Sequence, residues 1–287
     1  MELLRALGAL AEPPIPELGR LAAELDLGEL PSSAEHTELF SFQLVPYASV
    51  YLDPSGMLGG EARDRIAGFW RALELAPPKE PDHLCTLLTA HAAWSRASDA
   101  ASSEMERRLW RHRATAFLGE HLLSWLGPYL LAVEALAAGS FYGRWARLLA
   151  HAVARERRRL APPLEPSQHH RLSRALDDAD AESPDNLAAA LLAPIRSGLV
   201  LTRRDLARAA RQLGLAGRIG ERRYMLLALD GQDPAALRNW LIDLARERRA
   251  LYRERAERSD PTLEIWAERA GATIALLGSR ASSDDDS

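Results

Sequence analysis

The sequence predicts an all-α protein: one helical-bundle domain with an additional helical C-terminal extension. Three observations support this. Ala, Leu, Arg and Glu dominate the composition, and these residues favour helices. Few segments are enriched in Val, Ile or Thr, the residues that favour strands. Apolar residues recur at helical spacing between short breaks. Hydrophobic residues make up 47% of the 287 positions, which is enough for a folded core.

Two helical regions flank an aromatic segment in the first part of the chain. Amphipathic helical pieces are predicted over residues 1–30, and a helix is predicted over about residues 60–75. Between them, Leu39–Asp53 carries aromatic and branched residues around Pro46, which predicts an extended or irregular buried segment. Core packing is the default for these rings, and lining a groove for an apolar peptide is the alternative.

Four further helices are predicted before residue 160. A proline costs no hydrogen bond in the first turn of a helix, and a Ser followed three residues later by Glu forms a capping box. Gly139 is a plausible stop, and the basic run 155–159 suits a helix C-terminus. The predicted starts are Glu80–Pro81–Asp82, Ser103 with Glu106, Pro128 and Phe141.

The chain is predicted to divide after the long helix. Residues 1–160 form the main domain, 161–182 a linker or irregular segment, 183–281 the helical extension, and 282–287 a disordered tail. N-cap side chains mark the helix starts of the extension. These starts are Ser183–Pro184, Thr202 with Asp205, Asp233–Pro234 and Asp260–Pro261.

Charge, cysteine content and hydropathy restrict the class of protein. The formal net charge of −4 gives no general attraction to nucleic acid. Cys85 is the single cysteine, so no intramolecular disulfide forms, which fits a reducing compartment. Residues 1–5 lack the basic start of a signal peptide, and the best apolar run, 125–138, is too short to span a bilayer. We expect a protein that stays in the cytoplasm without membrane insertion.

Catalytic motifs are scarce. The sequence has no phosphate-binding GxxxxGK[ST], no GxGxxG after a strand, no GxSxG and no HExxH. The eight histidines form no tight cluster with other metal ligands, and Cys85 suits a small buried residue better than an activated thiolate. We therefore expect no enzyme activity, no metal and no cofactor.

The most unusual local chemistry is Glu80–Leu84. Here two carboxylates and an imidazole are predicted in the first turn of a helix. Acidic residues offset the positive end of the helix dipole, which accounts for Glu80 and Asp82 but not for His83. The alternative is an exposed polar cluster that binds a cationic peptide through Asp82.

Six motifs follow one another in a specific order between about residues 35 and 160. Taken together, the ordered set resembles the TorD/DmsD family of redox-enzyme maturation chaperones. The motifs are Leu39–Phe40, Val45–Asp53, Gly59–Gly60, Glu80–Leu84, Phe117–Trp125 and Phe141–Tyr142 leading to Leu148.

The resemblance implies an all-helical cytoplasmic chaperone. It would bind the apo-form of a molybdopterin-containing oxidoreductase, often at its twin-arginine signal peptide, and delay export until the cofactor is inserted. A monomer or a dimer formed by helix exchange is expected. The sequence does not identify the client, which is left open among dimethyl sulfoxide reductase-like, nitrate, formate and sulfur-compound oxidoreductases.

The resemblance also implies where the peptide binds. Leu39, Phe40, Asp82 and His83 occupy the positions that the family uses. His36 stands where relatives often have an aromatic residue, and Tyr47 replaces the usual Trp. Glu80 completes the set, because a receptor for paired arginines needs carboxylates beside an apolar surface.

The resemblance does not extend to the C-terminal part, since typical members end near residue 160. Residues 202–223 loosely follow a helix-turn-helix pattern, so a DNA-binding regulator using the Arg-rich stretch 196–258 is the alternative function. A helical hairpin is the simpler interpretation. A nucleotide-hydrolysing enzyme is a third hypothesis, and the missing phosphate-binding loop argues against it.

Overall fold

The computed structural model describes residues 2–285 and their side chains as far as Arg280. The chain is 70% helical, and the described residues form no β-strand, only an isolated bridge between Tyr47 and His83. The predicted all-α class is therefore confirmed.

The chain forms two compact units. Unit 1 consists of Met1–Ser49 and Gly59–Gln168, and unit 2 consists of Val50–Leu58 and His169–Ser287. Within the predicted linker, residues 161–182, the structure has a short helix from residue 168 and a 3₁₀ turn from residue 178. The division into an N-terminal domain, a linker and an extension stays a prediction.

Unit 1 is built from eight helices and the start of a ninth. Helix α6 (Leu84–Asp99) packs on α7 (Glu104–Phe117) and on α1 (Glu2–Ala9), and α8 (Leu126–Leu136) packs on α9 (Phe141–Leu160). Trp125, Trp145, Phe117 and Tyr129 are fully buried and form much of the core. Wide π-helical turns extend α3 over Glu38–Gln43 and α7 over Leu118–Leu122. The helices are α1 (Glu2–Ala9), α2 (Leu18–Glu24), α3 (Ser33–Thr37), α4 (Ala48–Leu52, entering unit 2 at residue 50), α5 (Gly60–Ala72), α6 (Leu84–Asp99), α7 (Glu104–Phe117), α8 (Leu126–Leu136) and α9 (Phe141–Leu160).

The segment predicted to be extended, Leu39–Asp53, is mostly helical. A capping box starts α3 upstream, where Ser32 Oγ accepts a hydrogen bond from Glu35 N and the Glu35 carboxylate accepts one from Ser32 N. The helix then continues through the π turn to Gln43. Aromatic content alone therefore misled the prediction, because a capped helix can present the same rings to a core.

The helix predicted to start at Glu80–Pro81–Asp82 starts later. Helix α6 begins at Leu84, with His83 as its N-cap residue. Residues 82–84 are instead tied to another part of the chain: Leu84 N donates to Pro46 O and Ala48 N donates to Asp82 O. The two acidic residues thus precede the helix and do not lie in its first turn.

Unit 2 contains the remaining helices around a leucine-rich core. Trp266 and Tyr252 are fully buried within it. The predicted caps at Ser183, Thr202 and Asp233 accept hydrogen bonds from the first-turn amides, as expected. The helices are α10 (Gln168–Leu172, starting at the last residue of unit 1), α11 (Pro184–Leu191), α12 (Pro194–Ser197), α13 (Arg203–Leu213), α14 (Arg222–Asp230), α15 (Pro234–Arg258) and α16 (Glu264–Asp285).

The C-terminal end differs from the predicted disordered tail, 282–287. The backbone of residues 282–285 continues α16, and residues 286–287 lie outside the described part of the chain. Among the described residues, no helix combines the length and apolar character needed to cross a membrane.

Candidate functional site

Two short segments of unit 1 form the bridge region, which we define as residues 46–49 and 80–84. The antiparallel bridge pairs Tyr47 with His83. It is closed by backbone hydrogen bonds of 2.8 Å from Leu84 N to Pro46 O and of 2.9 Å from Ala48 N to Asp82 O. The Pro-aromatic motif and the Glu80–Leu84 motif, separated in sequence by α5, therefore meet in one place.

Asp82 is a buried part of this region, with only 1% of its surface exposed. Its carboxylate accepts a hydrogen bond of 2.5 Å from Ser49 Oγ and a longer one of 3.4 Å from Ser49 N. Ser49 Oγ also accepts from Gly59 N at 3.0 Å, and Arg63 Nε lies 3.9 Å from the other carboxylate oxygen. The exposed cluster, which was the alternative interpretation of this segment, is not observed at Asp82, since the carboxylate is buried with Ser49 and Arg63 beside it.

His83 and Tyr47 form an edge-to-face ring pair between two other carboxylates. Their rings meet edge to face with centroids 4.7 Å apart. The Tyr47 hydroxyl donates to Glu80 Oε1 at 2.9 Å, and His83 Nδ1 lies 3.2 Å from Glu12 Oε1. His83 is also buried, at 6% exposure, which again differs from the alternative of an exposed cluster. The ring pair thus has one carboxylate bound to each of its two members.

The outer part of the bridge region and the adjacent Glu12 are accessible and carry two carboxylates. Glu80 is exposed, Tyr47 is half-buried, and the Glu12 side chain is 45% exposed. Burial of the phenol, the hydrogen bond to Glu80 and the charges of Asp82 and Glu12 raise the pKa of Tyr47 to about 12. The phenol therefore stays protonated and donates to Glu80 at neutral pH.

The predicted apolar contact residues are core residues of unit 1. Leu39 and Phe40 are 7% and 3% exposed. The Phe40 ring lies 4.7 Å from that of Tyr142, and half-buried His36 lies 5.1 Å from Phe40 with its Nε2 3.2 Å from Ala11 O. The structure thus matches the core-packing interpretation and not the groove-lining alternative. The exposed ring of this turn is Phe42, at 48%.

Sequence reasoning missed four residues of this site: Glu12, Ser49, Arg63 and Phe42. Ser49 lies inside a quoted motif, so a small polar residue within an aromatic segment was an available signal. Glu12 lies in the proline-rich stretch after α1, and no local pattern connects it with His83. Such pairs come from tertiary packing, which periodicity does not encode.

Neither a metal site nor a reactive thiol emerges from the described residues. No group of three or more His, Cys, Asp or Glu side chains among them is arranged to hold a metal ion. Burial and the nearby Glu12 charge raise the pKa of the Cys85 thiol to about 11, so little thiolate is present at neutral pH.

The arginines of the C-terminal part make many local contacts. Helices α13 and α14 pack on one another, and several guanidinium groups pair with carboxylates or carbonyls of unit 2. A basic face for DNA needs guanidinium groups that reach phosphates, and pairing of this kind reduces its net charge. The pairs are Arg208–Asp205, Arg223–Asp185, Arg246–Asp243, Arg258–Glu254 and Arg222 with Leu201 O.

Comparison with protein-family models gives a match in the N-terminal part of the chain. The family model described as nitrate reductase delta subunit matches residues 6–130. The chaperone protein TorD of Shewanella pealeana is 28% identical over 149 residues, which is 47% of this chain and 62% of that protein. The chain thus spans less than two-thirds of this curated relative. No solved structure matches the chain.

Proposed function

Because the chain belongs to the TorD/DmsD family of redox-enzyme maturation chaperones, we propose that it is a cytoplasmic chaperone for a molybdopterin-containing oxidoreductase. It binds the apo-form at the twin-arginine signal peptide and assists cofactor insertion before export. The family match over residues 6–130 includes both segments of the bridge region and Glu12. The protein works without nucleic acid or membrane insertion, as a monomer or a helix-exchanged dimer.

The observation that carries this proposal is the pair of accessible carboxylates on the two sides of the Tyr47–His83 rings. Glu80 contacts the phenol and Glu12 contacts the imidazole. A twin-arginine segment presents two neighbouring guanidinium groups, and each can form a bidentate bond with a carboxylate. We therefore assign Glu12 and Glu80 as the residues that bind the two arginines.

In this proposal, Asp82 and His83 are positioning residues. Asp82 fixes the turn through Ser49, and His83 holds Tyr47 and Glu12 in place. Leu39, Phe40 and His36 hold the π turn from which Phe42 projects to the surface. We assign Phe42 to the apolar stretch that follows the paired arginines, since an exposed ring gains from apolar contact.

The test uses a fluorescent synthetic peptide with two arginines followed by an apolar stretch, titrated with the full chain and followed by anisotropy. Removing both proposed partners in Glu12→Gln/Glu80→Gln is expected to raise Kd at least tenfold, about 1.4 kcal/mol. Replacing the two peptide arginines by lysines weakens binding to the wild type, because lysine lacks the bidentate geometry.

The matched control is Glu29→Gln, which removes an exposed carboxylate of unit 1 outside the bridge region. It is expected to bind the peptide like the wild type. Equal affinity of the double variant and the wild type would contradict the assignment. So would an equal loss in the control, since this would indicate general charge attraction only.

A further inference from the structure

Unit 2 contains a partly open cavity of about 200 Å³ lined by residues of α11, α14, α15 and α16. Thirteen residues line it, and all but Asp230, Arg238 and Arg280 are apolar. Its apolar walls include Ala188, Leu191, Leu226, Leu237, Leu241 and Leu277. No sequence motif marks this place, and the family match over residues 6–130 ends before it.

The size of the cavity sets the size of what it holds. A dry apolar cavity of about 150 Å³ accepts a benzene ring. The cavity of unit 2 is somewhat larger, so one aromatic or leucine-sized group fits with a few further atoms.

The three polar residues of the lining restrict the chemistry of the ligand next to its apolar group. Asp230 is half-buried, and no residue in the described part of the chain donates a hydrogen bond to its carboxylate or forms a close ion pair with it. Burial raises the pKa of Asp230, and the more distant charges of Arg238 and Arg280 only partly offset this. A carboxylate in this position is an acceptor ready for a ligand donor.

The two arginines, Arg238 and Arg280, supply hydrogen-bond donors, whereas Asp230 supplies an acceptor. Arg280 donates to Ala181 O, and each guanidinium carries five N–H groups, so a present contact leaves further donors. Asp230 offers a hydrogen-bond acceptor and the arginines offer donors, so the lining is complementary to a ligand group that carries both a donor and an acceptor. A main-chain amide satisfies both, because it presents an N–H donor next to a C=O acceptor.

We infer that this cavity binds a polypeptide segment of the client through one aromatic or leucine-sized side chain, with its main-chain N–H donated to Asp230 and its carbonyl bonded to Arg238 or Arg280. The identity of the polypeptide as a client rests on the proposed chaperone function. The recognition itself does not use the bridge region, so the two are separable by experiment.

The test uses N-acetyl-phenylalaninamide, which combines an aromatic ring with main-chain donors and acceptors, and saturation-transfer NMR with the full chain. The wild type is expected to bind it in the millimolar range. Filling the cavity with Ala188→Phe or Leu187→Trp is expected to abolish binding while leaving Tm unchanged or higher. If Ala188→Phe fails to fold, the test relies on Leu187→Trp, because Leu187 is only half-buried.

Polar recognition is tested by Asp230→Asn, which is expected to weaken binding at least threefold, with Asp243→Asn as the matched control on an exposed α15 position. Toluene, which lacks amide groups, tests whether the polar lining residues Asp230, Arg238 and Arg280 contribute to binding. No transfer to the wild type, or transfer that persists in both filled variants, overturns the inference. Equal binding of toluene together with no effect of Asp230→Asn overturns the polypeptide assignment.

The titration with the twin-arginine peptide separates this inference from the proposed function. If the wild type binds the twin-arginine peptide but not N-acetyl-phenylalaninamide, the cavity inference is overturned and the assignment of the bridge region is unaffected. If the wild type binds the amide but not the twin-arginine peptide, the assignment of the bridge region is overturned and the cavity inference is unaffected.

Discussion

Two aspartates, one in each unit, have opposite surroundings. In the bridge region, Asp82 is fully buried and accepts hydrogen bonds from the Ser49 side chain and amide. In the cavity of unit 2, Asp230 is half-buried and faces apolar walls, with no donor among the described residues. The first carboxylate belongs to the framework of its unit, and the second is available to a ligand.

The difference shows that a carboxylate in a conspicuous motif can be a buried residue of the framework. A buried carboxylate with partners stabilises the fold, and removing one member of such a pair leaves the other unsatisfied. A carboxylate without partners costs free energy unless it is protonated or bound. We therefore assign recognition to Glu12 and Glu80 at the surface and to Asp230 in the cavity.

The largest expected effect concerns Glu156, another partnered carboxylate of unit 1. Burial alone would raise its pKa, but hydrogen bonds from His91 at 3.2 Å and Arg159 at 2.5 Å lower it from 4.5 to about 2. Since the folded-state pKa is depressed, this stabilisation is present above pH 4.5 and is lost as the pH falls toward 2. Glu156→Gln should lose about 2 kcal/mol of unfolding free energy at pH 7.

Urea unfolding at pH 7, 5, 4 and 3 measures this effect. The difference in unfolding free energy between the wild type and Glu156→Gln should decrease between pH 4.5 and 3. Asp230 has a raised pKa, so its contribution has the opposite sign: the folded state gains stability relative to Asp230→Asn as the pH falls. A constant advantage of wild type over Glu156→Gln at all four pH values would show that these hydrogen bonds do not bias its ionisation.

A smaller effect comes from exchanging each of the two aspartates for asparagine. Asp82→Asn disturbs the short hydrogen bond to Ser49 and the charge facing Arg63, so it should cost about 1–2 kcal/mol of unfolding free energy. Asp230→Asn removes a poorly solvated charge without a bonded partner and should leave stability unchanged or slightly higher. Guanidinium unfolding of both variants at pH 7 gives the comparison, and equal losses would remove the distinction between the two sites.

Much of the fold could be predicted because its signals are local. Ser183, Thr202 and Asp233 cap helices as their sequence neighbours indicate, and α9 follows the apolar periodicity from Phe141. The late start of α6 was not predictable in this way. It depends on the hydrogen bonds that tie residues 82–84 to Pro46 and Ala48, which are distant in sequence.

The candidate site was predictable in place but not in detail. The motifs around Tyr47 and Asp82 do meet, and the chemistry of a carboxylate next to an imidazole is present. Burial decides the roles, however, and burial depends on partners such as Ser49 and Glu12 that no local pattern assigns. The cavity left no sequence signal, because leucines that line a space and leucines that fill a core follow the same periodicity.

The most direct test of the account is a double-mutant cycle between Glu80 and the two arginines of the signal peptide. Peptides with either arginine replaced by glutamine are titrated against the wild type and Glu80→Gln, with Glu29→Gln as the control protein. The account predicts a coupling free energy of about 1 kcal/mol between Glu80 and one of the arginines, and none with Glu29. If both peptide changes cost the same in wild type and in Glu80→Gln, the bridge region does not bind the paired arginines through Glu80.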